Sequence, residues 1–257
     1  MGMSAEQRQH DIAALLREVV NQDVASLAGH FGVSEVTIRR DLSVMAKRGI
    51  ITRGRGMAIS LISRAGETPI ILRSVQNAPV KEALAAAASA LVNDGDTIAL
   101  DSGTTTAAVA RALIGRKLTV MPFSISAIET LCVENGPAVV LPGGQVRPVE
   151  GSIYGPLAEL SISRLRFDVA FLGVCAIDPN GDVMANSIED AAVKRAIIAN
   201  SDRVIIVSES WKFSQRGTAF VTNLADVDLV VTDDLVAEAP RGLMNQLSME
   251  VELVSVT

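Results

Sequence analysis

The sequence predicts an α/β protein in two parts, a small three-helix unit closed by a β-hairpin and a larger domain built on a mostly parallel sheet. Three observations carry this. From Lys81 onward, short apolar runs suited to buried strands alternate with helical patterns, as in a parallel sheet covered by crossover helices. In the first sixty residues the apolar period is helical three times running before it changes to that of a hairpin. Charge divides the chain in the same place: residues 1–60 carry eight Lys/Arg and six Asp/Glu, a net of +2, so in a chain of net charge -6 the remainder stands at -8.

Composition narrows the class further. The 257 residues suit one or two domains, and a 49% hydrophobic content with one Trp and one Tyr points to an Ala/Val/Ile/Leu core. Cys132 and Cys175 sit in apolar sequence surroundings without CxxC spacing, so no disulfide framework is expected. With only His10 and His30, a His-rich metal site is excluded and a Ser-His-Asp triad is disfavoured; neither metal nor cofactor is expected. The opening "MGMSAEQRQH" lacks a signal-peptide pattern, and no run approaches the ~18 apolar residues of a membrane helix, so a cytoplasmic location is expected.

Taken in order, Ile12, Leu15, Leu16 and Val19 place one helix over 7–20, and Val24, Leu27, Ala28 and Phe31 mark a second, shorter one. Gly32 permits a tight turn, Ser34 is a good N-cap, and Ile38, Leu42 and Met45 form the inward stripe of a third helix that Gly49 stops. "IITRGRGMAISLIS" then reads as strand, turn and strand.

Small Ala28, turn Gly32 four residues on, and Ser34 opening a helix with outward Thr and Arg make helix-turn-helix spacing. The second helix of that motif must offer short polar and Arg side chains to base edges and phosphates. Ser34, Glu35, Thr37, Arg39, Arg40 and Lys47 are the expected contacts on it, with Arg53 and Arg55 at the tip of a wing. A three-helix structural domain with a solvated basic face is the plainer reading. Against it, six of the eight basic residues fall between Arg39 and Arg55, where Asp41 is the only acid. Residues 1–60 are therefore expected to bind double-stranded DNA as part of a homo-oligomer, since such modules usually read symmetric half-sites in pairs.

Residues 61–80 read as a linker and 81–257 as the α/β domain. Its expected order is helix 80–92, strand "TIAL", helix 104–114, strand "LTVMPF", helix 124–134, strand "AVVLPGG", helix 156–163, strand "VAFLGV", helix 188–199, strand "RVIIVSE", strand "LVVTDD", and a last helix and strand. In such sheets ligands sit at the carboxyl ends of the strands.

The first of those ends is "DSGTTT". Asp101, Ser102, Gly103, Thr104, Thr105 and Thr106 join a buried strand to a helix start, where backbone N–H groups and the helix dipole favour an anion. The hydroxyls could instead merely cap the helix. Lys212, in the strand-end loop "SESWKF", could meet a phosphate or be an ordinary solvated lysine. Asp190 and Lys194, at i and i+4, could be an ordinary surface salt bridge.

The stretch "VASLAGHFGVSEVTIRRDLSVMAKRGIITRGRG", and "TIRRDL" above all, resembles the DNA-binding signature of the DeoR family of bacterial transcriptional regulators. The usual "GG" at the wing tip is here "GRG". The remaining residues resemble that family's sensor domain, which is similar to the ribose-5-phosphate isomerase and CoA-transferase superfamily. "DSGTTT" matches its phosphate-binding loop and "KF" at 212–213 its Lys-Phe motif. The resemblance implies effector contacts at Asp101, Gly103, Thr104, Thr105, Thr106, Gly144 and Lys212. Where the family often has Thr-Asn-Ser this chain has Pro122, Phe123 and Ser124, and Ala-Asp-Gly-Ile is replaced by Val174, Cys175, Ala176 and Ile177; both changes replace polar or flexible residues with apolar ones and imply a differently shaped pocket.

Two functions remain in view. One is a transcriptional regulator, a repressor of a metabolic operon, controlled by a phosphorylated effector, most simply a sugar phosphate. The other is a sugar-phosphate isomerase with an appended helical domain. Isomerisation needs a general base, and the loop "GVCAID" offers only Asp178, which precedes the turn Pro179-Asn180-Gly181 and suits a turn cap. Cys175 has no His in this domain to activate it and is expected to be buried and structural. The expectation is therefore a sensor and not an enzyme. A pocket that has degenerated, leaving a domain that only oligomerises, is a third possibility.

Overall fold

The computed structural model describes residues 5–18, 21–47, 51–54, 57–60 and 70–256. The chain divides into two compact units, residues 1–76 and 77–257.

The first unit contains helix α1 (Ala5–Glu18), strand β1 (Asn21–Asp23), helices α2 (Val24–Phe31) and α3 (Glu35–Lys47), strands β2 (Ile51–Gly54) and β3 (Met57–Ser60), and a short helix α4 (Ile70–Val75). The α4 helix lies within the stretch expected to be a plain linker. Ile12, Val24, Leu27, Ile38, Leu42 and Met45 are buried together, so the inward stripe of α3 closes a core with α1 and α2. The wing has three strands in the order β1-β3-β2, all antiparallel, because Asn21–Asp23 pairs with β3 beside the expected hairpin.

The second unit runs α5 (Ala78–Ser89), β4 (Thr97–Leu100), α6 (Thr104–Ala112), β5 (Thr119–Pro122), α7 (Ile125–Leu131), β6 (Ala138–Val139), β7 (Gln145–Val146), β8 (Ile153–Tyr154), α8 (Pro156–Ser163), β9 (Phe167–Leu172), β10 (Ala176–Ile177), β11 (Asp182–Ala185), α9 (Ile188–Ala199), β12 (Ser201–Val207), a 3₁₀ turn at Ser210–Ser214, β13 (Ala219–Asn223), β14 (Leu229–Asp233), α10 (Glu238–Gln246) and β15 (Glu250–Val254). Seven strands form one parallel sheet in the order β15-β14-β12-β9-β4-β5-β6.

Alternation within the strands builds two cores. Ala99, Ala170, Leu172, Val204, Ile206 and Val230 face α8 and α9 through Ala158, Ile162, Ala191 and Ile197. Ile98, Leu100, Phe171, Ile205, Val207 and Val231 face α5 and α6 through Leu84, Ala88, Val109 and Leu113. The central strands β4, β9, β12 and β14 are thus apolar on both faces, which is why they read as apolar runs. Beyond this sheet lie the antiparallel sheet β10-β11-β13 and the hairpin β7-β8, neither visible in the strand-helix alternation.

The strand order fixes where a ligand can sit. After β4 the chain moves outward to β5 and β6, then returns to lay β9 on the other side of β4 and continues outward to β15. The topological switch point therefore lies between the carboxyl ends of β4 and β9, at Asp101 and Gly173.

Candidate functional site

On the DNA side, α2 is capped by Asp23, whose carboxylate accepts from Ser26 N at 2.8 Å. The backbone hydrogen bond from Ser26 leads the influences that hold the Asp23 carboxyl below its usual range. Gly32, at φ 62°, ends α2 in the left-handed conformation, and Ser34 Oγ accepts from Thr37 N at 3.2 Å to open α3. The two helices are thus set by a capped end and a capped start around a three-residue turn.

Of the residues expected to touch DNA, Ser34 and Thr37 have their hydroxyls 2.9 Å apart within the cap. Arg39 Nη2 donates to Glu35 Oε2 at 3.1 Å, with both side chains about half exposed, and Arg40 is exposed. The backbone places Lys47 at the end of α3 and Arg53 on β2; the side chains of both, and Arg55 as a whole, lie outside the described residues. Asp41 turns inward, where it accepts from Arg8 Nε at 2.7 Å and Gln9 Nε2 at 3.0 Å. Within "RRDL" the arginines and the aspartate therefore serve opposite sides of the helix.

In the second unit, "DSGTTT" stands at the switch point. Gly103, at φ 133°, occupies the N-cap of α6, and no side chain caps the helix. That conformation is one L side chains rarely adopt. The reading in which the threonines only cap the helix does not hold. Thr106 Oγ1 donates to Gly103 O at 3.0 Å and so points back along the chain. Thr105 Oγ1 is buried without a protein partner, as is Asp101 Oδ1. Buried polar atoms are nearly always satisfied, so these two ask for a ligand or water.

The other carboxylate oxygen of Asp101 is fully engaged. Gly173 N donates to Oδ2 at 2.9 Å, and Lys194 Nζ is hydrogen-bonded to the same atom. Lys194 Nζ also donates to Gly173 O at 3.0 Å and lies 3.6 Å from Asp190 Oδ1. The side chains of Lys194 and Asp101 are 3% and 1% exposed, so the expectation of an ordinary surface pair at Asp190 and Lys194 is corrected. The α9 helix packs against β9, and β9 lies beside β4, so the second turn of α9 brings the lysine under Asp101. Burial works against the ammonium, but the carboxylates of Asp101 and Asp190 outweigh it and hold the Lys194 pKa above the ordinary lysine value. Burial pushes the Asp101 carboxyl up, opposed by the Lys194 charge.

Lys212 reaches the same strand end from the 3₁₀ turn and donates to Val174 O at 2.9 Å. Two interactions set that turn: Ser210 N donates to Asp233 Oδ2 at 2.8 Å, and Glu209 forms a buried ion pair with Lys81 at 3.5 Å. Asp101, Gly173, Val174, Lys194 and Lys212 are thus gathered around the end of β9. Gly144, at φ 120°, is explained by packing: a Cβ there would lie 2.5 Å from Tyr154 O and 3.1 Å from Ala158 Cβ. The atoms nearest to that position belong to β8 and α8.

Sequence reasoning missed Arg147. The β7-β8 hairpin is fastened to the end of β5, where Ile153 N donates to Phe123 O at 2.9 Å. From it Arg147 donates to Ser187 Oγ at 3.0 Å, lies 3.6 Å from Glu189, and sits 5.1 Å over the Tyr154 ring. The hairpin is thereby joined to the start of α9, a link that no local pattern announces. The expectation of a buried Cys175 is also corrected, since it is only half-buried; Cys132 is exposed. Asp178 accepts from Asn180 N at 2.8 Å and Asp182 N at 2.9 Å, the expected turn cap.

No helix among the described residues is long and apolar enough to cross a membrane. Residues 8–64 match the DeoR-like helix-turn-helix domain, and residues 76–234 match the DeoR C-terminal sensor domain. The transcriptional repressor AccR of Agrobacterium fabrum is 34% identical over 90% of this chain and 90% of its own length. The glycerol-3-phosphate regulon repressor of Escherichia coli is 32% identical over 96% of each chain. Among solved structures, a ribose 5-phosphate isomerase from Methanocaldococcus jannaschii shows a partial likeness, at 17% identity over 53% of this chain and 55% of that one, with a TM-score of 0.41. Both halves of the sequence and the relatives across nearly its full length agree: the chain belongs to the DeoR family of DNA-binding transcriptional regulators.

Proposed function

We propose that this regulator is a cytoplasmic repressor whose hold on its operator is set by a phosphorylated metabolite, of sugar-phosphate type, bound at the start of α6. The observation that carries the proposal is the uncapped α6 N-terminus at the switch point, with the Thr105 hydroxyl buried and unpartnered beside it. Backbone N–H groups of the first turn and the helix dipole suit a phosphate, and Thr105 would add a hydroxyl. Lys212 would contribute a charge-assisted hydrogen bond from the neighbouring strand end. The similarity to the glycerol-3-phosphate regulon repressor of Escherichia coli supports a phosphorylated effector. A sensing role without turnover fits the site, since Asp178 is engaged in its turn and the Asp101 carboxylate is tied to Lys194 through Oδ2, which disfavours either as a general base.

The test is thermal stability of the full chain against matched phosphorylated and dephosphorylated sugars and polyols. The phosphorylated member of one pair should stabilise by about 2.7 kcal/mol at a hundred times its dissociation constant. No isomerase turnover should accompany it. Thr105→Ala and Lys212→Ala should each bind operator DNA yet lose that shift. Because Thr105 Oγ1 caps nothing, its removal should not incur the ~1 kcal/mol loss of a helix cap. Stabilisation by no phosphorylated compound, or an unaltered response in both variants, would refute the proposal.

On the DNA side, the same reading assigns operator contacts to Arg39, Arg40 and Arg53, in a homo-oligomer held through the sensor domain. Alanine at each should weaken operator binding and reduce the slope of log affinity against log salt by roughly one for every phosphate left unneutralised. Three variants with wild-type affinity and slope would show that α3 and the wing do not face the DNA.

A further inference from the structure

We infer that Val36 reads the C5-methyl group of a thymine in the operator; this rests on α3 being the recognition helix. Ile38, Leu42 and Met45 face the core of the first unit and are buried. At 100° per residue, positions 36, 40, 43 and 47 form the row on the opposite side of α3. Val36 heads that row, with Arg40 exposed one turn further on.

Val36 is 76% exposed, the most exposed large apolar side chain among the described residues. Single exposed apolar residues are ordinary, so exposure alone decides nothing. Its place and its neighbours decide. It lies in the first turn of α3, the end at which recognition helices touch base edges. The hydroxyls of Ser34 and Thr37 are joined in the cap, and Glu35 holds Arg39. The polar groups flanking Val36 are therefore engaged with each other, and the Val36 side chain has no atom that donates or accepts. Such a side chain can discriminate only by an apolar contact, and the apolar feature of the major groove is the thymine methyl. A β-branched residue also gains nothing in helix propensity at this exposed position.

The experiment selects binding duplexes from a random-sequence library with the full-length protein, then replaces single thymines of the selected site by deoxyuridine, which removes only the methyl. One thymine per half-site should respond, wild-type affinity falling about threefold to fivefold, the scale of one buried methyl group. Val36→Ala should bind the thymine and uracil duplexes alike. Indifference of the wild type to every swap, or an undiminished thymine preference in Val36→Ala, would overturn the inference. Arg40→Ala separates the two levels. If it too leaves affinity and selected sequence unchanged, α3 does not read DNA and the underlying assignment falls. If it weakens binding while Val36→Ala keeps the thymine preference, α3 reads DNA and only the Val36 assignment falls.

Discussion

Replacing Lys194 by Met should destabilise the sensor domain by about 3–5 kcal/mol, the usual cost of breaking a buried ion pair by removing one partner. The Lys194 ammonium is the cation beneath Asp101, and neither side chain reaches solvent to a useful extent. Without it, Asp101 Oδ2 keeps only the Gly173 N–H, and burial, which already pushes this carboxyl up, is opposed by backbone hydrogen bonds alone. Adding Asp101→Asn should recover most of the loss, because a neutral pair is less costly than half of a charged one. Urea unfolding followed by Trp211 fluorescence measures this directly, since Trp211 is the only tryptophan and lies in the second unit. A loss below about 1 kcal/mol would mean that the pair behaves as a hydrated surface bridge. The pH dependence has a definite sign. Folding raises the Lys194 pKa, so its stabilising contribution is complete below the ordinary lysine pKa of about 10.4 and fades as pH climbs above it.

That pair also marks where local pattern stops being informative. The strand-turn-helix at 97–112, the parallel domain and the three helices of the first unit were legible because each rests on periodicity or turn chemistry within about fifteen residues. Lys194 and Asp190 were legible only as neighbours on a helix. Their burial depends on β9 returning to lie beside β4, a pairing between segments some seventy residues apart along the chain. The same limit hid Arg147, whose partners stand on a hairpin and a helix 40 residues apart. Gly144 shows the converse: a glycine matched to a binding motif has a sufficient explanation in its packing against Tyr154 and Ala158. "DSGTTT" suggested either a helix cap or an anion cradle in the sequence, and the directions of the Thr105 and Thr106 hydroxyls, which cap nothing, came only with the fold.

Asp41→Ala should unfold the helix-turn-helix unit and abolish operator binding, although Asp41 lies off the exposed row headed by Val36. Its carboxylate accepts from Arg8 and Gln9, and the Arg8 and Asp41 side chains are only 8% and 5% exposed. Removing it takes that carboxylate from a buried guanidinium and amide, at an expected cost of about 3–5 kcal/mol. Glu35→Ala on the same helix is the contrast. Its bridge to Arg39 is about half exposed, and exposed i,i+4 pairs are worth only about 0.3–0.5 kcal/mol. Amide hydrogen exchange on the full chain resolves the outcome: protection across 24–47 should collapse in Asp41→Ala, persist in Glu35→Ala, and remain unchanged across 97–254 in both. Retained protection in α3 of Asp41→Ala would show that the Arg8 pair does not hold the helices together. Counted along the sequence, Asp41 is the one acid diluting the basic stretch from Arg39 to Arg55. In the fold its carboxylate is paired with Arg8 inside the core, turned away from the exposed face on which Arg40 lies.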